Sequence, residues 1–175
     1  GVEVKARLFR QYPEGEFASH LLGYIGRLSE RDEVKVEEAG YIANYRGTEH
    51  FGKAGLEQRY EFELHGTSGF EQVEVNAGGH AVRTLARTAP TPGNNLTLTV
   101  DAELQKIAEQ AFGARRGALV AIDPATGGIL AMVSMPTYDP NLFVDGIGSQ
   151  SWKELNESDQ KPMINRALNS ANPPG

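Results

Sequence analysis

The chain has 175 residues, 39% of them hydrophobic and 23% charged, which suits one domain or two small ones with a real core and excludes a disordered polymer. Net charge is −6, and a cut at Thr88 leaves −3 on each side, so no basic face points to nucleic acid or an anionic membrane. No run approaches the roughly 20 apolar residues of a membrane helix, no signal-peptide pattern is visible, and zero cysteines exclude disulfides and thiolate zinc sites, a composition compatible with an oxidising periplasm.

The opening Gly1-Val2-Glu3-Val4, without methionine, reads as a piece of a longer protein, cut at both ends. Val2, Val4, Ala6 and Leu8 alternate with charged residues, predicting a half-buried strand. Tyr12-Pro13-Glu14-Gly15 is a turn, and Ser19–Gly26 a compact apolar segment. The charged stretch 30–40 is expected to be solvated. Leu56, Tyr60 and Leu64 share one face of a predicted short helix between Gly55 and Gly66. Val73, Val75 and Ala77, a Gly78-Gly79 turn and a return over His80–Leu85 predict a hairpin.

Residues 88–95, Thr-Ala-Pro-Thr-Pro-Gly-Asn-Asn, favour turns or an extended linker. The division is therefore 1–88, a linker at 89–95, and a second module at 96–175. Leu96, Leu98 and Val100 predict a strand, and Asp101 a cap for the helix that follows. Leu104, Ile107, Ala108, Ala111 and Phe112 form its apolar stripe, closed by Gly113. The runs 118–122 and 129–133 flank the turn Asp123–Gly128. Both are apolar without alternation, predicting a hairpin covered on both faces. Ser151–Glu154 matches a capping box, and Pro162 suits the first position of a helix through Asn169, stopped by Pro173-Pro174. No internal repeat or low-complexity tract is present.

The pieces resemble one family in order and spacing. Gly23–Arg27, Gly52–Glu57, Leu64-His65-Gly66 and Glu71–Asn76 are similar to the non-catalytic pedestal of elongation-type class B penicillin-binding proteins. Leu98–Asp101 with Leu104-Gln105, and then Gly117–Gly128, resemble the opening of their transpeptidase domain. Tyr138–Val144 and Gly146-Ile147 look like the elongation branch, and Asn165-Arg166-Ala167 with Pro173-Pro174-Gly175 like the approach to its nucleophile. The division-specific branch, which usually has Glu-Pro-Gly at that turn, fits less well.

The resemblance implies an α+β fold: a dimerisation-type pedestal of strands and short helices joined to the N-terminal part of a penicillin-binding transpeptidase domain. It implies a parent anchored in the bacterial inner membrane by a helix upstream, cross-linking peptidoglycan stem peptides on the periplasmic side and acylated by β-lactams. The implied partners are the glycan polymerase and scaffold of the elongation complex, with a possible homo-oligomer and no nucleic acid. The alternative is a non-enzymatic interaction module. Serine acyl transfer needs an activated hydroxyl, a base and an oxyanion site, supplied in this family by Ser-x-x-Lys, Ser-x-Asn and Lys-Thr/Ser-Gly motifs.

Those motifs do not transfer to this chain. The Ser-x-x-Lys motif is expected immediately after Gly175, so no catalytic residue, cofactor or metal ligand is assigned and the chain alone is expected to be inactive. Ser158-Asp159-Gln160-Lys161 matches the pattern, but eight serines and six lysines produce about 0.3 such matches by chance, and Pro162 disfavours a helical Lys161. Ser170-Ala171-Asn172 is an equally fortuitous Ser-x-Asn. His20, His50, His65 and His80 have no local zinc spacing and read as structural. Asp123 reads as a turn-capping carboxylate, Gly127-Gly128 as turn geometry rather than a phosphate loop, Arg115-Arg116 as a solvated pair, and Trp152 as packing for its helix.

Overall fold

The computed structural model describes residues 10–78 and 81–169, with Val75 and Ala81 described by their backbone alone. The strand expected over Val2–Leu8, Gly79, His80 and the Pro-Pro-Gly turn lie outside the described residues.

The Tyr12–Gly15 turn closes with Gly15 N–H donating to the Tyr12 carbonyl at 3.1 Å. Within the segment expected at 19–26 come helix α1, Ser19–Leu22, and the start of strand β1, Ile25–Arg27. The charged stretch forms helix α2, Glu30–Glu38. Its start is held by Ser29, whose N–H and hydroxyl both donate to Asp32. Asp32 and Val36 are buried, which corrects the expectation of a solvated segment: one face of a charged helix is sunk. Strand β2, His50–Gly52, pairs antiparallel with β1, Gly26 opposite Phe51.

The single helix expected across Leu56–Leu64 is two, α3 (Gly55–Arg59) and α4 (Glu61–His65), separated at Tyr60 (φ −113°). Their buried residues are Glu57 and Glu61 rather than the apolar triplet. Tyr12 and Arg10 donate to Glu57, and Tyr45 donates to Glu61, so the burial of each carboxylate is compensated. Strands β3 (Phe70–Val75) and β4 (Ala81–Thr88) form the expected hairpin, longer than predicted and bulged after Gln72 and Glu74.

Residues 89–95 are extended but docked. Thr91 and Thr67 exchange backbone hydrogen bonds of 2.9 Å, and Asn94 N–H donates to the Glu63 carbonyl. Residues 96–100 are irregular, not the predicted strand. They run beside Ile129 and Leu130, where Thr99 Oγ1 donates to the Ile129 carbonyl and Asp101 N–H to the Leu130 carbonyl, too few bonds for a ladder. Asp101 caps helix α5, Ala102–Phe112, accepting from the N–H groups of Glu103 and Leu104.

Strand β5, Gly117–Ile122, pairs antiparallel with β6, Ile129–Met135. Ala131–Ser134 of β6 are consecutively buried, as a strand covered on both faces requires. β5 departs from that expectation: Leu119, Val120 and Ile122 are exposed in this chain. Helices α6 (Asn141–Val144), α7 (Ser149–Glu157) and α8 (Arg166–Asn169) follow. α7 is capped at Gly148, so Ser151 lies inside the helix and the predicted capping box does not operate. α8 begins at Arg166 rather than at Pro162, which is buried in a loop.

The chain divides into two compact units that interleave along the sequence. Among the described residues, one holds 10–27, 50–59 and 97–169, the other 28–49, 60–78 and 81–96. The first is centred on β6, Ala108, Phe51, Tyr138 and Phe143. The second is built on Val36 and Tyr45, with Tyr41 stacked on Phe62 and Tyr45 on His65.

Candidate functional site

A polar constellation surrounds residues 160–169, the run that the sequence places before the expected nucleophile. Ser134, buried on β6, donates through Oγ to the Ile164 carbonyl at 3.1 Å and accepts from Arg166 N–H at 2.9 Å. One hydroxyl can do both, because it carries a donor and acceptor lone pairs. It thereby fixes the start of α8 on a buried strand. Asn165 works in two directions. Its Oδ1 accepts from Ala167 N–H at 3.1 Å, and its Nδ2 donates to the carbonyl of His20 on α1, also at 3.1 Å. The Arg166 guanidinium folds back on the loop before it, donating to the carbonyls of Gln160, Lys161 and Ile164. Lys161 sits at φ +48°, so Ser158 and Lys161 do not share a helical face.

His20 is buried edge-on to Tyr138, with ring centroids 5.0 Å apart, and its Nε2 lies 3.0 Å from the Pro136 carbonyl. Burial pulls its pKa below the ordinary histidine value, and the bond to Pro136 only partly opposes that. Beneath it Tyr24 stacks on Phe143, centroids 4.0 Å apart. Asn141 pairs with Tyr12 as a neighbouring strand would, accepting from its N–H and donating to its carbonyl at 2.9 Å each. The Tyr12 hydroxyl donates to Glu57 and accepts from Ile25 N–H; burial first, and the adjacent Glu57 charge second, raise its pKa far above the usual tyrosine value.

The remaining residues named from sequence fall elsewhere. His65 lies with Nε2 3.0 Å from Thr48 Oγ1, His50 is in β2, and among the described residues no group of three histidines or carboxylates could hold a metal. Asp123 accepts from Ala125 N–H at 2.9 Å and Thr126 Oγ1 at 2.7 Å, bonds that lower its pKa, and Gly127 takes the φ of +74° that closes the turn. Arg115 donates to the Ala111 and Phe112 carbonyls at the end of α5, and Arg116 to the Asp159 carbonyl, so both are anchored rather than merely solvated. Trp152 is 44% exposed, less buried than a packing role predicts. Sequence reasoning missed Gln105, Ser134, Asn141 and the pairing of Asn165. A polar residue inside an otherwise apolar or irregular run was the available signal.

Comparison with known proteins follows the same order along the chain. The model of the penicillin-binding protein dimerisation domain matches residues 1–98, and that of the penicillin-binding protein transpeptidase domain matches residues 117–175. The chain belongs to the penicillin-binding protein family. It is 43% identical to the peptidoglycan D,D-transpeptidase MrdA of Escherichia coli K12 across 99% of its own length and 28% of the relative's, so it spans little more than a quarter of that protein. Among solved structures it is similar to Pseudomonas aeruginosa PBP2 in complex with WCK 5153, at 45% identity and TM-score 0.77, covering 93% of this chain and 31% of that one. It is also similar to Helicobacter pylori PBP2 in a complex with MreC, at 36% identity and TM-score 0.74, covering 90% and 28%. The mixed helix-and-strand fold expected from sequence agrees with these PBP2 structures.

Proposed function

We propose that this chain is part of a serine-type peptidoglycan D,D-transpeptidase of lateral-wall elongation, acting on stem peptides through an acyl-enzyme and acylated by β-lactams. The observation that carries this reading is identity to MrdA along essentially the whole chain, through both family regions in order. In this reading residues 1–88 are the pedestal, 89–95 the link and 96–175 the first part of the catalytic domain. The Ser-x-x-Lys nucleophile follows Gly175, and the chain by itself carries no catalytic residue. The parent is held in the bacterial inner membrane with this part in the periplasm; no helix among the described residues is long and apolar enough to cross a membrane. The test is a longer chain continuing past Gly175, incubated with fluorescent penicillin and mapped by mass spectrometry. Covalent label on a serine within a few residues of that point is expected; no label overturns the proposal.

A second reading is favoured by one neighbour, the H. pylori PBP2 structure that contains MreC. The pedestal then also docks an elongation scaffold and the glycan polymerase, without chemistry of its own. The bait should be the intact chain, because residues 10–27 and 50–59 belong to the same compact unit as residues after 97. Micromolar binding to a purified MreC-type scaffold supports this; none at that concentration counts against it.

A further inference from the structure

We infer that Asn165 is a positioning residue for the acylation step, tying the run that leads to the nucleophile to α1; the inference rests on the transpeptidase reading above. Asn165 and His20 are 145 positions apart, one in the transpeptidase match and one in the dimerisation match, yet they lie in one compact unit. The two ends of the Asn165 amide have separate tasks. Oδ1 caps the first turn of α8, and Nδ2 reaches the His20 carbonyl. The position of that carbonyl is itself closely determined. The His20 ring is wedged against Tyr138 and Pro136, and Gly23 directly after α1 meets Ala54 so closely that a Cβ would lie 1.8 Å from the Ala54 carbonyl oxygen. Ser134 pins the same run from the β6 side. The start of α8 is therefore held between a buried strand and α1, and Asn165 is the side chain that spans to α1. Displacements of about 1 Å at a reacting group slow acyl transfer steeply, so a tether of this kind acts on rate more than on ligand affinity.

The two functions separate by substitution. Asn165→Asp keeps the acceptor that caps α8, and aspartate is as good a cap as asparagine, but it loses the donor and sets a carboxylate against the His20 carbonyl. Asn165→Ala loses both. The measurement is stopped-flow acylation of the full-length protein by fluorescent penicillin, separating non-covalent affinity, acylation rate and burst amplitude. For Asn165→Asp the expected result is an acylation rate lowered about five- to tenfold, the size of one lost hydrogen bond, with non-covalent affinity unchanged. Asn165→Ala is expected to be at least as slow. Misfolding lowers burst amplitude without changing the rate of the folded fraction. A wild-type rate in Asn165→Asp, or a loss confined to amplitude or to non-covalent affinity, overturns the inference. A wild-type protein that takes up no label overturns the transpeptidase reading instead, and this inference with it.

Discussion

Gln105 on α5 hydrogen-bonds both backbone groups of Met132 in the middle of β6: its Oε1 accepts from the Met132 N–H at 2.8 Å and its Nε2 donates to the Met132 carbonyl at 2.9 Å. The residue is 0% exposed, whereas Ile107 in the expected apolar stripe is 63% exposed. α5 is thus turned so that a side-chain amide supplies the edge partner a further strand would otherwise supply, because buried backbone groups must be paired.

Substituting Gln105 by Leu keeps most of the volume and leaves both Met132 groups without that partner. At about 1–3 kcal/mol for each buried group left unmade, Gln105→Leu should lose roughly 2–6 kcal/mol in urea unfolding. Gln105→Ala should lose at least as much. A Leu variant as stable as the parent would show that the amide contributes nothing beyond packing.

Burial raises the pKa of Tyr12, Tyr45 and Tyr138, with Glu57 adding to the first, Glu61 to the second and Tyr24 to the third. A raised folded pKa contributes stability that is complete below the unfolded value near pH 10 and is lost as pH rises beyond it. Alkaline unfolding should therefore be cooperative, with absorbance at 295 nm from these phenolates rising together with the loss of circular dichroism. Ionisation of all the tyrosines before unfolding would contradict it.

His20 has the opposite linkage, because burial lowers the pKa of a base. Its contribution is present above the unfolded value of about 6.5 and is lost as pH falls below it towards the folded pKa. The thermal midpoint should drop from pH 7 to pH 5, and His20→Gln should have a lower midpoint at pH 7 but a smaller drop. An equal drop in both would assign acid sensitivity to other groups.

Gly23 has φ +78° and faces the Ala54 carbonyl at a distance no Cβ tolerates. Gly23→Ala should cost more than about 3 kcal/mol, since left-handed strain and a backbone clash add. Gly40, also at positive φ but facing open space, is the control: Gly40→Ala should cost only about 1 kcal/mol. Similar losses at both positions would remove close approach as the cause.

Leu119, Val120 and Ile122 expose apolar side chains on β5. Residues 1–175 alone are expected to self-associate, since exposed apolar side chains on both faces of one strand seek cover. Analytical ultracentrifugation should show concentration-dependent mass that falls in the Leu119→Thr/Ile122→Thr variant. A monodisperse monomer at all concentrations would refute this.

The sequence was most legible where a local rule settles the conformation. Asp101 as a helix cap, Asp123 in its turn, Gly113 ending α5, and the two hairpins were all readable, because caps, turns and short strand-length patterns involve neighbours a few residues apart. It was least legible where a polar residue is spent on a distant backbone. Period alone put Leu104 and Ile107 inward and joined α3 to α4, but nothing local reveals that Gln105 answers Met132 or that Glu57 answers Tyr12. The break at Tyr60 comes where the chain passes from one compact unit to the other, a boundary set by contacts far apart in sequence.

By itself the sequence determined the family, the mixed fold, the two hairpins and the Asp101 cap. Only the tertiary structure decided that α1 lies beside β6, that Asn141 and Gln105 serve as strand partners, and that Asn165, just before α8, reaches His20. The physical reason is range. Caps, turns and periodicity are settled within a few residues, whereas the pairing of a buried hydrogen-bonding group depends on which distant segment is brought beside it when the core closes.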